Sequence, residues 1–383
     1  MSGAMPASGH LVHGMGVALE TPAWPAITVA EAEAIVTRFP AAGQLVGLRW
    51  HSPRPFSAAT LVQTSRGAFL LKRHHHSLRT PADLADEHRF IAHLDAAGVP
   101  VPEVLAAGAG ASAVSEGAWS YELHRKAAGL DLYRDRPSWT PFLSHDHARA
   151  AGAALARMHR AARDFPAAAR RPQHLVASFT ILPAADPLAA AEAFVEARPA
   201  LAAFLSQRGW RARFAGLLDA LGEGLAGRLA HQPSLWTHND WHPSNLLWTR
   251  DGEVRTLIDF GLATRTCALH DLATAIERTA IPWLRLRDAA ADMTADAEAA
   301  RALLAGYRSE MPLSRTDIET VARLLPLVHL EFALSEIDYF AAVLADSSQA
   351  TIAWEEYLVG HAEWFLSAAG RDLLRQIDAM AIA

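Results

Sequence analysis

The sequence predicts an α+β protein in which a small antiparallel sheet is followed by a larger, mainly helical part. Its 383 residues exceed the roughly 150 of one typical domain, so we expect two lobes. Residues 44–125 have the alternation and turn signals of strands, whereas the chain after residue 126 is rich in Ala and Leu with helical periodicity. Three segments follow from this pattern: a flexible arm at 1–25, a sheet lobe at 26–123 and a helical lobe at 124–383.

The sheet lobe is expected to contain five strands and one inserted helix. A short helix comes first, since Thr28 and Glu31 form a capping-box pattern. The helix inserted after the third strand begins at Thr80 and Pro81, a cap followed by proline at the first helical position. The segments predicted as strands are LVGLRW, SAATLVQTS, GAFLLKRH, VPVPEVLAA and WSYELHR.

The helical lobe is interrupted by one short β segment. Long amphipathic stretches such as DHARAAGAALARMHRAARDF predict helices on both sides of it. The interruption consists of WTHNDWHPSNLLW and EVRTLIDFG, which we interpret as a hairpin-like pair of strands. This is the region where polar side chains are most concentrated.

Composition excludes several classes of partner. A net charge of -6 and a pI near 6.3 give no basic surface for a nucleic acid. No run of about 18 apolar residues suggests a membrane span. The single cysteine, Cys267, excludes an internal disulfide, and the first basic residue is Arg38, so a signal peptide's basic region is missing. We expect a cytoplasmic protein.

Three oxygen-bearing side chains in the β interruption suit phosphoryl transfer. Asn245 lies five residues after Asp240, and Asp259 comes directly after an apolar strand. Phosphoryl transfer needs Mg²⁺ held by hard oxygen ligands and a carboxylate that orients the attacking hydroxyl. Each residue alone is also typical of a turn or a strand end, but the conjunction favours a catalytic site.

A zinc site is the alternative for the same stretch. His238 and His242 lie four residues apart, as in zinc-binding helices. Asn239, Asp240 and Pro243 disfavour a helix there, and no third ligand has suitable spacing. The sequence therefore favours a catalytic loop over a metal-binding helix.

The motifs HNDWHPSN and LIDFG resemble the catalytic loop and metal motif of the aminoglycoside phosphotransferase and choline kinase superfamily, which includes type II homoserine kinases. The resemblance runs from about residue 44 to 275. It implies a protein-kinase-like bilobal fold with Asp240 as catalytic base, Asn245 and Asp259 as Mg²⁺ ligands and His238 as a brace of the loop. Asn239 replaces the glycine of the usual family motif.

Kinases also use a lysine on the third strand, paired with a glutamate of the next helix, to bind the phosphates of ATP. Lys72 ends the third predicted strand, and Glu87 lies in the first turns of the next helix. Lys72 is one of only two lysines among 35 basic residues, which favours a specific use of its compact charge. Glu87 is equally typical of an acidic helix N-terminus.

Other nucleotide contacts follow from the resemblance. The turn after the first strand lacks a Gly-x-Gly-x-x-Gly flap, so Ser57 is expected to take its place. Glu122 to His124 resemble the segment whose backbone binds adenine, and Asp271 is expected to support the loops structurally.

The acceptor pocket is predicted from one helical stretch. Glu331, Ser335 and Asp338 share a helical face beside two aromatic residues, and acidic and aromatic groups together suit an ammonium. A solvated acidic face is the alternative. His242 is a further possible acceptor contact.

The resulting expectation is an ATP- and Mg²⁺-dependent kinase for a hydroxyl of a small polar molecule, such as an amino alcohol, a homoserine-like amino acid or an aminoglycoside. A bacterial stress-type Ser/Thr protein kinase is an alternative. A pseudokinase that binds nucleotide without turnover is another, which the missing glycine flap favours and the intact Asp240, Asn245, Asp259 and Lys72 oppose.

Overall fold

A computed structural model describes residues 10–13, 18–134, 136–286, 288 and 293–381. The chain divides into two compact units. The first contains the residues up to Ala92 and Val101–Ala127, and the second contains His93–Pro100 and the residues from Ala128 onward. The chain passes finally into the second unit after Ala127, four residues beyond the lobe boundary expected from the sequence.

The first unit is built on a five-stranded antiparallel sheet. Its strands are β3 Leu45–His51, β4 Ala58–Thr64, β5 Gly67–His75, β6 Val114–Glu116 and β7 Trp119–Arg125. In the sheet they lie in the order β3-β4-β5-β7-β6. One face packs on a buried apolar cluster that includes Val62, Phe69 and Leu123. The prediction of a small antiparallel sheet preceding a helical part is confirmed.

One predicted strand is wrong. The stretch VPVPEVLAA forms only an isolated bridge, between Val104 and His124, and the fifth strand is β6 instead. Pro100 and Pro102 carry no amide hydrogen, so they cannot donate to a sheet ladder. The apolar character of this stretch therefore serves packing rather than strand pairing.

The two helices of this part of the chain begin where the capping signals placed them. Helix α1, Val29–Val36, has a complete capping box between Thr28 and Glu31. Helix α2, Pro81–Ala96, begins after Thr80, whose amide and hydroxyl both donate to the Asp83 carboxylate at 2.8 and 2.7 Å. Local side-chain bonds thus fix both helix starts.

Part of the expected N-terminal arm has defined contacts. Strands β1, Val12–His13, and β2, Leu19–Glu20, pair antiparallel. Trp24 stacks on His75 with ring centroids 5.2 Å apart. Flexibility of the arm stays a prediction, and positions 1–9 and 14–17 lie outside the described residues.

The second unit is mainly helical. Its α-helices are α3 His145–Ala162, α4 Pro187–Glu196, α5 Pro199–Leu205, α6 Trp210–Leu221, α7 Leu225–Leu229, α8 Ala268–Ala280, α9 Ala297–Glu310, α10 Arg315–Leu324, α11 Leu330–Asp338, α12 Ser347–Ile352, α13 His361–Trp364 and α14 Ala368–Ala379. Two π-helical segments, Tyr339–Leu344 and Ala353–Gly360, continue α11 and α12. In the described part of the chain, no helix is both long and apolar enough to cross a membrane.

The β interruption of the second unit forms two short antiparallel pairs. Strand β8, Ser234–Thr237, pairs with β11, Thr264–Cys267, and β9, Leu246–Trp248, pairs with β10, Val254–Leu257. The loop between β8 and β9 and the loop between β10 and β11 therefore start from paired strands. These loops carry the predicted catalytic and metal-binding residues.

Helices α3 and α9 approach each other closely at two glycines. A Cβ atom on Gly306 would lie 1.9 Å from the carbonyl oxygen of Arg149, and one on Gly152 would lie 2.0 Å from that of Leu303. Neither backbone oxygen can move without shifting its helix, so glycine is required at both crossing positions.

We predict that Gly306→Ala destabilises the protein by about 1–3 kcal/mol, because the new methyl group collides with the α3 backbone. Gly216→Ala is the matched control, since Gly216 lies in α6 with open space around it and alanine favours helix by up to about 1 kcal/mol. Urea unfolding of both variants measures the difference. Equal stabilities would contradict the proposed close crossing.

Candidate active site

The loop after β8 turns sharply at Asn239. This residue has φ of 61°, in the left-handed region that glycine and asparagine tolerate best. Its amide oxygen accepts hydrogen bonds from the hydroxyls of Thr237 and Thr266 at 3.0 and 3.1 Å. Asparagine thus supplies both the turn conformation and an anchor where the usual family motif has glycine.

A buried carboxylate on α8 holds this turn. Asp271 accepts hydrogen bonds from the main-chain amides of His238 and Asn239, both at 2.8 Å, and from His159 Nε2 at 3.0 Å. Burial alone would raise the pKa of Asp271, but the hydrogen bond and charge of His159 keep this pKa below its usual value. His159 in turn contacts the Tyr307 hydroxyl through Nδ1 at 2.9 Å.

His238 connects the loop after β8 with the loop after β10. Its Nδ1 accepts from the amide of Asp240 at 3.2 Å, and its Nε2 donates to the carbonyl of Ile258 at 3.0 Å. The ring is fully buried, and burial lowers its pKa, so the neutral form is favoured. These contacts suit the predicted bracing role.

Asp240 is held from two sides. Asn245 Nδ2 donates to both the carbonyl and the Oδ2 atom of Asp240 at 2.9 Å. The buried guanidinium of Arg278 forms an ion pair with Oδ1 of the same carboxylate. His242 Nε2 lies 3.5 Å from Oδ1, close enough for a weaker electrostatic contact.

The structure brings the two predicted metal ligands into neighbouring backbone positions. The amide of Ile258, the residue before Asp259, donates to the carbonyl of Asn245 at 3.0 Å. Asp259 itself has φ of 64°, which turns the chain directly after β10. Because the amide nitrogen of Asn245 is used by Asp240, its amide oxygen is the atom left to coordinate a cation.

Arg278 is the main site residue that sequence reasoning missed. It lies two turns after Asp271 on α8, at i and i+7, which places both side chains on one helical face. Its guanidinium also lies 5.2 Å from the Trp139 ring and 5.4 Å from the Phe332 ring. The shared face was a usable signal, but the sequence did not show that it points toward Asp240.

A small cavity of about 10 Å³ lies beside this arginine, with room for roughly one water molecule. Residues 177 and 178 form part of the cavity wall. The ring of Phe179, which follows them, packs edge-on against His270 with ring centroids 4.8 Å apart. The lining residues are Ala177, Ser178, Asn239, His270, Thr274, Glu277, Arg278, Val328, His329, Phe332 and Tyr357.

Two buried glutamates accompany Arg278. Burial raises the pKa of Glu277 to about 7 and that of Glu336 to about 8, although His329 and Arg278 respectively oppose these shifts. Glu277 Oε1 lies 2.7 Å from His361 Nδ1. The cavity wall thus contains the Arg278 cation and Glu277, whose carboxyl group can gain or lose a proton near neutral pH. Glu336 does not line the cavity but lies close enough to Arg278 to sense its charge.

The polar face of α11 that was predicted to bind the acceptor contacts a loop of the same chain. Glu331 accepts from the hydroxyl of Ser178 at 2.6 Å and from the amides of Thr180 and Ile181 at 2.8 and 2.7 Å. A carboxylate with these partners fixes the 174–181 loop. The role of Glu331 as an acceptor contact stays a prediction.

The other two members of that face bind the same loop. The Ser335 hydroxyl accepts from the amide of Leu175 at 3.0 Å. Asp338 Oδ2 lies 3.1 Å from His174 Nδ1 and 3.8 Å from Arg198 Nε, so its charge is already paired. The role of Asp338 as an acceptor contact likewise stays a prediction, and Glu336 lies on the opposite side of α11.

In the first unit, Lys72 lies on β5 as predicted. Its Nζ is 3.6 Å from Oε1 of Glu122, the residue directly opposite on β7. Glu87 is buried on α2, and Ser57 lies immediately before β4. The nucleotide-binding roles of Lys72, Glu87 and Ser57 stay predictions.

Glu122 and His124 lie on β7. Both pair with β5 inside the sheet, and the carbonyl of Leu123 between them accepts from the amide of Leu105 at 2.8 Å. The side chains point into a buried polar cluster. Adenine binding by the backbone of this stretch stays a prediction.

A family model described as the phosphotransferase enzyme family matches residues 56–313, more than half of the chain. The chain belongs to the phosphotransferase enzyme family. The matched region spans both units and includes every residue of the catalytic loops described above. The resemblance seen in the motifs is thereby confirmed.

The homoserine kinase of Rhodopseudomonas palustris is 29% identical over 279 residues, which are 72% of this chain and 74% of that protein. The homoserine kinase of Chelativorans sp. is 28% identical over 206 residues, so the match spans about half of each chain.

Solved structures of family members share the fold. A microcompartment-associated aminopropanol kinase has a TM-score of 0.59 at 19% identity and covers 90% of this chain and 100% of its own. An aminoglycoside phosphotransferase from Alicyclobacillus acidocaldarius has a TM-score of 0.51 at 17% identity, with 90% and 96% covered. The prediction of a protein-kinase-like fold is confirmed.

The raised pKa of Glu336 predicts a specific pH dependence of stability. The unfolded side chain ionises near its ordinary pKa of 4.5, whereas the folded one keeps its proton to about pH 8. The free energy of unfolding should therefore fall between these values as pH rises, by up to a few kcal/mol. Glu336→Gln cannot ionise and should reduce this fall in urea-unfolding curves recorded from pH 5 to 8.

Glu355→Gln is the control, because Glu355 is an exposed glutamate and its replacement should leave the pH profile unchanged. If Glu336→Gln also keeps the wild-type profile, the folded carboxyl is ionised at neutral pH.

Proposed function

We propose that the protein transfers the γ-phosphoryl group of ATP, with Mg²⁺, to the hydroxyl of a small amino acid. The observation that carries this proposal is the surroundings of Asp240. Its carboxylate is fixed between Asn245 and Arg278 on a loop anchored by Asp271, with Asp259 on the adjoining loop. This arrangement suits a base that orients an attacking hydroxyl beside a cation site.

The donor set fits a magnesium ion. Asn245 offers an amide oxygen and Asp259 a carboxylate, and hard oxygen ligands are those that Mg²⁺ prefers. A bound Mg²⁺ would neutralise charge on the phosphates. Lys72 would add a point charge to the same task, as the corresponding lysine does in kinases generally.

Asp240 would orient the acceptor hydroxyl and receive its proton as the oxygen attacks phosphorus. Asn245 and His238 keep the carboxylate and its loop in place through fixed hydrogen bonds. Preorganised groups of this kind lower the barrier because they need no rearrangement during the reaction. Arg278 pairs with the same carboxylate until the acceptor binds.

The groups around the small cavity favour a zwitterionic acceptor. Arg278 can bind a carboxylate in a bidentate manner, and ionised Glu277, which also lines the cavity, can bind an ammonium group. Phe332 and Tyr357 add aromatic faces beside that charge. A space of about 10 Å³ must widen for any acceptor.

The similar proteins support this choice of acceptor class. The relatives named homoserine kinases are matched over as much as 72% of this chain, and homoserine is a small amino acid with a side-chain hydroxyl. The aminopropanol kinase shares the fold at 19% identity. An amino alcohol carries the ammonium and the hydroxyl but gives Arg278 no carboxylate partner.

Asp240→Asn should lower turnover about 100- to 10,000-fold while nucleotide binding is retained, because the lost carboxylate acts on the acceptor. Steady-state kinetics measure turnover, and the shift in melting temperature on adding ATP with and without Mg²⁺ measures binding.

Asp251→Asn makes the same chemical change at an exposed turn and should keep wild-type kinetics. Wild-type turnover in Asp240→Asn would refute its role as base. A wild-type protein with no metal-dependent stabilisation by ATP would refute the kinase proposal as a whole.

Arg278→Gln should raise KM for homoserine about 10- to 100-fold, the cost of losing a charged hydrogen-bonded partner, and should affect KM for aminopropanol much less. The pair of acceptors tests the carboxylate contact specifically. Arg255→Gln, at an exposed position of β10, is the control. An equal loss of kcat for both acceptors would instead mean that Arg278 acts only through Asp240.

A further inference from the structure

Four side chains of the first unit converge on one buried glutamate. Alternation along a strand places Lys72 and His74 on one face of β5, and Glu122 and His124 on the same face of β7. Helix α2 adds His88 from across this face. The phosphotransferase proposal uses only Lys72 from this group.

The three imidazoles all point their Nε2 atoms at the Glu122 carboxylate. His88 and His124 contact Oε2 at 2.5 and 2.8 Å, and His74 contacts Oε1 at 3.0 Å. Glu122 is completely buried, and His88 and His124 are 4% and 5% exposed. Potential ligand atoms of His88, Glu122 and His124 lie within 4.8 Å of one another.

Charge balance does not explain so many imidazoles. One buried carboxylate needs one cation, and Lys72 lies 3.6 Å from Oε1. The carboxylate oxygens also face three imidazole nitrogens, which a single countercharge does not require.

We propose that His88, Glu122 and His124 form a binding site for a divalent transition-metal ion of the zinc class. Two imidazoles and one carboxylate are a ligand set that Zn²⁺, Co²⁺ and Fe²⁺ accept, whereas Mg²⁺ and Ca²⁺ prefer oxygen alone. His74 would either be the fourth ligand or keep its hydrogen bond with Glu122.

Metal binding requires only small movements. Bonds of about 2.0–2.1 Å in tetrahedral geometry place ligand atoms about 3.3 Å apart. The Nε2 to Oε2 distances of 2.5 and 2.8 Å must therefore widen by several tenths of an ångström, which a rotation of the Glu122 side chain can provide. A bound ion would also share the Glu122 charge with Lys72.

The test is a titration of metal-free, untagged protein with Co²⁺ in the absence of nucleotide. We expect one equivalent to bind, with the visible absorption of a four-coordinate ion, and Zn²⁺ to displace it. His88→Gln and His124→Gln should each weaken binding at least about tenfold. His75→Gln is the matched control, since His75 lies on the same strand but contacts Ser77 instead.

Asp259→Asn separates this site from the proposed Mg²⁺ ligands and should leave Co²⁺ uptake unchanged. No uptake by the wild type, or uptake that depends on Asp259 and not on His88 and His124, would overturn the proposal. X-ray absorption of the zinc-loaded wild type gives a second measurement that does not depend on variants folding: imidazole scattering is expected, and oxygen ligands alone would contradict the site.

Discussion

The catalytic loops depend above all on the carboxylate of Asp271. A turn through left-handed Asn239 leaves the amides of His238 and Asn239 buried, and unpaired buried amides are costly. Asp271 accepts from both amides, and His159 keeps it ionised. The position of Asp240 follows, because it is the next residue after this fixed turn. One buried acceptor thus converts a strained turn into a rigid support for a functional side chain.

Local signals explain what could be predicted from the sequence. Helix starts depend on neighbouring residues such as Thr28 and Glu31, and strand alternation is visible in any short stretch. The catalytic motif is local as well, since Asp240 and Asn245 lie within one loop. Lys72 was identifiable because lysine is so rare in this chain. The prediction of a strand around Pro100 was wrong because it relied on the apolar pattern and did not take into account that proline lacks an amide hydrogen for the sheet ladder.

Tertiary partners are what the sequence could not show. The α11 face was recognised as a place where polar side chains act together, but Glu331 binds the 174–181 loop of the same chain. No local pattern distinguishes an intramolecular partner from a ligand. Arg278 was missed for the converse reason: its helical face was visible, while its contact with Asp240 arises only when α8 packs beside the loop. Glu122 was assigned to adenine because its strand was recognised but not its neighbours.

Two buried glutamates, Glu122 and Glu336, show how the surroundings of a carboxyl group shift its pKa in opposite directions. Glu122 is kept ionised by Lys72 and the imidazoles around it, so it behaves as a fixed anion. Burial dominates at Glu336 and raises its pKa to about 8 although the charge of Arg278 opposes the shift, so the protonated form is favoured at neutral pH. Under the proposed function, an acceptor carboxylate that engages Arg278 would weaken the contact of this arginine with Asp240, so acceptor binding and the proposed base would be coupled through one guanidinium.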